Sequence, residues 1–176
     1  NGKKTALLLR GAALYGVGLE AAGRVQAKTG ARLLCDTFAP HVELGAGRVP
    51  VERIPYFAEQ IVDFLKEIEQ IILVGAKPPV SFFAYPGKPS WCVPEGSHLS
   101  YLAHAHQDGA LALAALADTL GAPARSPVRI PLQLPELPGG PLTALGVAQV
   151  IAAVTPDNAI FADESATASF ALLSTM

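Results

Sequence analysis

The chain is poor in charge, and this deficit excludes several classes of function. Its 176 residues include 13 Lys and Arg against 15 Asp and Glu, for a formal net charge of −2. No basic run provides the positive patch that binds nucleic acid or an anionic membrane surface. No apolar run reaches the roughly 18 residues that cross a bilayer, and the N-terminal Asn-Gly-Lys-Lys leads into a strand pattern rather than a signal peptide. We therefore expect a soluble, cytoplasmic protein with no nucleic-acid or membrane partner.

Sulfur is also scarce, with two cysteines and one methionine. Cys35 and Cys92 lie within apolar, strand-like runs and lack the paired spacing typical of zinc or redox sites. We expect both to be buried and reduced. The single methionine is Met176, at the end of the chain rather than at its start. We therefore expect a piece from the interior of a longer protein.

The chain is rich in apolar sequence that alternates between strand and helix patterns. Apolar residues make up 51% of it. Strand-length apolar runs lie at residues 4–10, 31–37, 70–75, 91–93 and 98–103, and helical patterns at 19–29, 56–68 and 107–120. This alternation predicts a doubly wound α/β domain over residues 1–121, in which helices cover both faces of a parallel, Rossmann-like sheet.

The composition changes after residue 121. Six of the twenty residues in 122–141 are proline and two are glycine, which favours an extended linker. A helical pattern follows over 142–154, and Ala159–Ala162 has the pattern of a strand that leads into the acidic, hydroxyl-rich loop Asp163–Ser169. We therefore expect an incomplete second α/β unit over 142–176.

The glycines after the first strand partly match a dinucleotide-binding turn. Gly11, Gly16 and Gly18 do not have G-x-G-x-x-G spacing, although Asp36 follows the second strand, where a ribose-binding carboxylate would lie. A free-standing FAD- or NAD-binding module therefore stays open as an alternative function.

A second motif, His104-Ala-His106-Gln-Asp108, resembles the zinc signature of metallo-β-lactamase-like hydrolases. Gly109 replaces the further histidine of that signature, and no histidine follows. We expect no metal site and interpret Asp108 as a residue at a helix N-terminus. Lys77, after the third strand, is interpreted as a solvated loop lysine.

Two long stretches resemble a known enzyme family. Their sequences are KTALLLRGAALYGVGLEAAGRVQAKTGARLLCDTFAPHVELGAGRVPVERIPYFAEQ and QIILVGAKPPVSFFAYPGKPSWCVPEG. They are similar to the central domain of the thiamine-diphosphate-dependent acetolactate synthase large subunit and benzoylformate decarboxylase family. The loops VGAKPPVSFFAYPGKPS and ADESATAS are the most specific parts. The resemblance implies that residues 1–121 are the central domain, 122–141 a linker, and 142–176 the N-terminal part of the diphosphate-binding domain.

The resemblance implies that the parent enzyme is a lyase or transferase that decarboxylates or joins small 2-keto acids with thiamine diphosphate and Mg²⁺. The family takes its cofactor-contacting glutamate and its Gly-Asp-Gly…Asn motif from other domains, and neither is present here. We therefore expect this chain alone to be inactive, with no catalytic residue and no bound cofactor. Its central domain would act as a scaffold and subunit interface, and its partners would be the other domains and subunits of the same enzyme.

The resemblance also implies one cofactor contact within this chain. Matching the family's loop to Asp163-Glu164-Ser165-Ala166-Thr167-Ala168 makes Ala166 and Thr167 neighbours of the diphosphate, with Thr167 offering a hydroxyl. Some members bind FAD in the central domain, so flavin stays open, but the incomplete glycine pattern favours a scaffold without it.

Overall fold

The structure is a computed structural model that describes residues 2–175 and, for Ala166, Ser169, Phe170 and Leu173, the backbone alone. The chain divides into two compact units. Unit 1 contains the residues up to Glu43 together with Arg48–Arg129, and unit 2 contains Leu44–Gly47 together with the residues from Ile130 onward.

Unit 1 is an α/β domain built on five parallel strands. Its elements are, in chain order, β1 (Thr5–Leu9), a 3₁₀ turn (Gly11–Leu14), α1 (Gly16–Thr29), β2 (Arg32–Cys35), β3 (Glu52–Arg53), α2 (Ala58–Leu65), β4 (Gln70–Val74), β5 (His98–Ala103) and α3 (Gly109–Thr119). The strand order is β3-β2-β1-β4-β5, and every pair is parallel. The order reverses between β1 and β4, as it does in doubly wound folds. The predicted fold class is confirmed.

Helices cover both faces of the sheet because alternate side chains of the central strands point in opposite directions. Leu7 and Leu9 of β1 pack in the core with α1 and α3, whereas Leu8 packs with α2 on the other face. All three leucines are essentially inaccessible to solvent. An unbroken apolar strand is the pattern expected of a sheet buried on both sides.

In unit 1 one predicted strand was wrong, one strand was not predicted, and one helix is shorter than predicted. The strand predicted at 91–93 is only an isolated antiparallel bridge between Val80 and Trp91. The two-residue β3, which pairs with the end of β2, was not predicted because so short a segment has no readable periodicity. The helix predicted over 56–68 spans only Ala58–Leu65, and Phe57 is its half-exposed N-cap residue.

Unit 2 contains α4 (Ala144–Val154), a 3₁₀ turn (Ala166–Ala168) and α5 (Ser169–Thr175). The strand predicted at Ala159–Ala162 is wrong, since these residues have no regular structure and Ile160 is 97% exposed. A strand needs a neighbour for its backbone hydrogen bonds, and within residues 2–175 none pairs with this segment. Over residues 2–175, each helix is too short or too polar to span a lipid bilayer.

Residues 123–129, from the proline-rich stretch, pack within unit 1. The Arg24 side chain donates through Nε to the Pro123 carbonyl oxygen over 2.7 Å. The backbone N–H of Ser126 donates to Glu20 over 2.7 Å, and Ser126 is buried. Hydrogen bonds between the backbone and side chains replace the strand-to-strand hydrogen bonds that the prolines prevent.

Candidate functional site

The carboxyl ends of β1 and β4 meet where the strand order reverses, which is the usual ligand-binding edge of this fold. In unit 1 the protein's own side chains occupy this edge. The N-terminus of α1 is closed by Glu43, whose Oε2 accepts a hydrogen bond from the Gly16 backbone N–H over 2.6 Å. Arg48 Nε lies 3.3 Å from the other carboxylate oxygen. A nucleotide pyrophosphate would need the position that this carboxylate holds.

The predicted ribose ligand is also engaged within the protein. Asp36, which follows β2, accepts a hydrogen bond over 2.5 Å from Nη1 of Arg10, which follows β1. A carboxylate paired in this way is not available to two ribose hydroxyls unless the ion pair opens. The cavity beside α1 has a volume of about 120 Å³, well below the roughly 300 Å³ at which ligand pockets begin.

The glycines of the β1–α1 connection have a packing role. A Cβ built on Gly18 would lie 2.1 Å from the Ala12 carbonyl oxygen in the preceding 3₁₀ turn. Gly11 and Gly16 have positive φ values of 60° and 51°, which other residues rarely adopt. These glycines therefore fold the 3₁₀ turn back onto α1, and this geometry accounts for them without a nucleotide.

The structure brings the two histidines of the zinc-like motif together, whereas Asp108 caps a helix. The rings of His104 and His106 are stacked with centroids 5.8 Å apart, and His104 also stacks on Tyr101. Asp108 is the N-cap residue of α3, where its Oδ1 accepts the Leu111 N–H over 2.9 Å. In the described part of the chain, no three His, Cys, Asp or Glu side chains cluster as a metal site.

The two cysteines and Lys77 lack the surroundings of a catalytic residue. Cys35 and Cys92 are buried and form no disulfide, as predicted. Burial raises the pKa of the Cys35 thiol to about 11 and also raises the pKa of Cys92, so neither is a ready thiolate nucleophile. Lys77 is exposed, as expected.

The loop expected to approach a diphosphate lies in unit 2, just before α5. Asp163 Oδ1 accepts hydrogen bonds from both the backbone N–H and the hydroxyl of Ser165. Ala166 and Thr167 open the 3₁₀ turn that precedes the helix, and the Thr167 side chain is exposed. An exposed hydroxyl donor beside a helix N-terminus suits an anionic group. The assignment of Ala166 and Thr167 to the cofactor stays a prediction.

A cluster of six aromatic side chains was not anticipated from the sequence. We call it the aromatic surface, and it consists of Phe38, Tyr56, Phe57, Phe82, Phe83 and Tyr85. These residues follow the carboxyl ends of β2, β3 and β4. The quoted loop contains three of the six, Phe82, Phe83 and Tyr85, whereas Phe38, Tyr56 and Phe57 come from other loops, so the cluster has no continuous pattern in the sequence.

Comparison with known proteins shows a similarity in sequence to one protein and a similarity in fold to another. No protein-family model matches the chain. It is 45% identical over 167 residues to the Mycobacterium tuberculosis protein named "Putative acetolactate synthase large subunit IlvX", an alignment that covers 95% of this chain and 32% of that protein. The Rhodococcus jostii RHA1 thiamine diphosphate-dependent 4-hydroxybenzoylformate decarboxylase has a similar fold, with a TM-score of 0.67 and 21% identity over 98% of this chain and 35% of the decarboxylase.

These findings confirm the resemblance inferred from the sequence. Nearly the whole chain is homologous to part of a protein named as an acetolactate synthase large subunit. The chain spans about a third of the length of each of these two proteins.

Proposed function

We propose that this chain is the central domain, with the beginning of the diphosphate-binding domain, of a thiamine-diphosphate-dependent 2-keto acid decarboxylase or carboligase. The observation that carries the proposal is the 45% identity to the acetolactate synthase-like relative along 95% of the chain. The parallel sheet of unit 1 supports the proposal, because the fold of the decarboxylase matches 98% of this chain.

Unit 1 acts in this proposal as a scaffold and not as a cofactor site. A dinucleotide does not fit the ligand edge as it stands, because Glu43 closes the N-terminus of α1 and Arg10 holds Asp36. The alternative of a free-standing FAD- or NAD-binding module is therefore not favoured.

Unit 2 provides the contact to the cofactor. The hydroxyl of Thr167 fits a diphosphate oxygen, whereas the carboxylates of Asp163 and Glu164 would have to face away from it or toward the Mg²⁺ that accompanies the diphosphate. Thiamine diphosphate, when bound, supplies the electron sink for loss of CO₂ from a 2-keto acid. The contribution of this chain is to orient the diphosphate through Thr167 and the backbone N–H of Ala166.

The parent enzyme acts in the cytoplasm in this proposal, because Cys35 and Cys92 are both unpaired, as is usual in a reducing compartment. Its substrate is a small 2-keto acid, and its partners are the other domains and subunits of the same enzyme.

A domain graft tests the proposal. The segment of the Mycobacterium tuberculosis relative that aligns with this chain is replaced by the chain itself, and the purified graft is assayed for loss of pyruvate or benzoylformate with thiamine diphosphate and Mg²⁺. Turnover is expected, because the graft restores the domains that carry the remaining cofactor contacts. A folded graft that binds thiamine diphosphate but consumes neither keto acid would contradict the proposed reaction.

The same graft tests the role of Thr167. Thr167→Ala should weaken thiamine diphosphate binding about 3- to 10-fold, the effect of losing one hydrogen bond of about 1 kcal/mol, as measured by calorimetric titration. Thr167→Ser keeps the hydroxyl and should bind nearly as tightly as the unmodified graft. Equal affinities for all three proteins would remove Thr167 from the cofactor site.

A further inference from the structure

The aromatic surface is a continuous, mostly exposed apolar patch. Tyr56 lies at its centre, with ring centroids 5.1–6.4 Å from those of Phe38, Phe57, Phe82 and Phe83. Apart from Tyr56, each member is between 46% and 58% exposed. Large exposed aromatic patches on soluble proteins mark interaction sites, since single exposed apolar side chains are common but clusters are not.

The composition of the patch is that of an interface core with a polar rim. None of its six side chains carries a charge. The ion pair between Lys88 and Glu59 lies close by in sequence, and the Lys88 backbone N–H donates to the Tyr85 carbonyl oxygen over 3.1 Å. Protein interfaces are enriched in aromatic residues at the centre and depleted in charge there, with polar groups around them.

The exposure of the rings favours a protein over a small molecule. Small ligands need a concave site that encloses most of their surface. Five of the six rings are instead about half exposed, so another protein surface can lie on them.

The area of the patch favours a covalently linked domain over a second copy of the chain. Aromatic side chains bury about 150–250 Å² each, so five of them at half exposure leave on the order of 500 Å² to be covered. A stable dimer of separate chains needs about 800 Å² on each partner. Domains within one polypeptide associate over smaller areas, because the linkage removes much of the entropic cost of association.

We propose that the aromatic surface docks a domain of the same enzyme that lies outside these 176 residues. This inference rests on the proposed function, and it adds the place of contact. The relatives provide the occupant, because this chain accounts for only 32% and 35% of their lengths. Phe82, Phe83 and Tyr85 lie within one of the most specific loops of the family resemblance, and the ring centroids of Phe82 and Phe83 are 4.6 Å apart.

Hydroxyl-radical labelling followed by mass spectrometry tests the proposal on the isolated chain and on the graft described above. Labelling of Phe82, Phe83 and Tyr85 should be at least about threefold slower in the graft. Tyr101, which is 46% exposed like Phe83 but lies on β5 outside the patch, is the matched control and should be labelled equally in both proteins. Equal labelling of the patch in both proteins would overturn the proposal.

The outcome is separable from that of the proposed function. Protection of the patch in a graft without turnover supports docking and contradicts the reaction. Turnover with an unprotected patch supports the reaction and contradicts docking.

A second measurement uses variants and does not need an active graft. Phe83→Ala should lower the melting temperature of the graft by several degrees more than that of the isolated chain, whereas Tyr101→Ala should lower both equally. Sedimentation velocity of the isolated chain should show a monomer. A dimer that Phe83→Ala dissociates would assign the patch to a second copy and overturn the proposal.

Discussion

Gly18 shows how the absence of one side chain sets the geometry at the start of α1. Its α-carbon lies so close to the preceding 3₁₀ turn that an added Cβ would be 2.1 Å from the Ala12 carbonyl oxygen. The contact is with backbone, which cannot rotate away as a flexible side chain would. The glycine that suggests a nucleotide turn in the sequence is therefore a close-packing residue.

Gly18→Ala should destabilise unit 1 by about 2–3 kcal/mol, because the turn and the helix must separate to admit the methyl group. The measurement is urea unfolding followed by circular dichroism. Gly139→Ala is the control, since its Cβ would meet nothing within 4 Å, and a change within about 0.5 kcal/mol is expected there. If Gly18→Ala unfolds at the same urea concentration as the unmodified chain, the close approach is not as described.

At the scale of elements, α1 holds the segment that follows α3. Glu20 on α1 accepts a hydrogen bond from the Ser126 backbone N–H over 2.7 Å and one from Arg129 Nη2 over 2.6 Å. Gly23, one turn later, leaves room for Ser126, because a Cβ there would lie 2.7 Å from the Ser126 side chain. One face of one helix thus fixes the position of a segment more than 100 residues away.

The Glu20 contacts predict a dependence of stability on pH. Burial alone would raise the pKa of Glu20, but the Ser126 N–H bond and the Arg129 guanidinium outweigh it and hold the pKa below its usual 4.5. A carboxylate whose pKa is lower in the native state than in the unfolded state stabilises the fold fully at pH values above its pKa in the unfolded state. This stabilisation is lost as the pH falls through the pKa of the native state.

Glu20→Gln should therefore cost about 1 kcal/mol at pH 7, and the difference from the unmodified chain should shrink at pH values below the native pKa of Glu20. Chemical unfolding at a series of pH values measures both quantities. The exposed Glu95, substituted in the same way, should show little effect at any pH. A Glu20→Gln penalty that stays constant down to low pH would mean that charge is not involved.

At the scale of the whole molecule, the closed ligand edge separates this chain from a dinucleotide-binding protein of similar topology. The carboxylate of Glu43 holds the position at the α1 N-terminus that a phosphate would otherwise take, and like charges there repel.

The isolated chain should therefore show no rise in melting temperature with millimolar FAD or NAD, because only a ligand that binds the native state stabilises it. It should also leave pyruvate and benzoylformate unconsumed when given thiamine diphosphate and Mg²⁺. A saturable thermal shift with FAD would restore the flavin alternative, and turnover by the isolated chain would contradict its proposed role as one part of a larger enzyme.

Much of the fold of unit 1 could be predicted from the sequence, because hydrophobic periodicity is a local property that burial enforces directly. The bounds predicted for β5, His98–Ala103, agree with the structure, and the apolar runs at β1 and β4 correctly indicated a sheet covered on both faces. Ala159–Ala162 failed as a strand because an apolar run becomes a strand only when a neighbouring strand completes its hydrogen bonds.

The sequence by itself determined the parallel α/β class of unit 1 and the family resemblance, since both depend on the order of residues along the chain. Only the tertiary structure decided that Glu43 closes the α1 N-terminus, that Arg10 pairs with Asp36, and that six aromatic side chains form one surface. The physical reason is that each of these contacts joins residues from separate loops. Their proximity comes from the way the sheet brings the ends of its strands together, and no local pattern of residues records it.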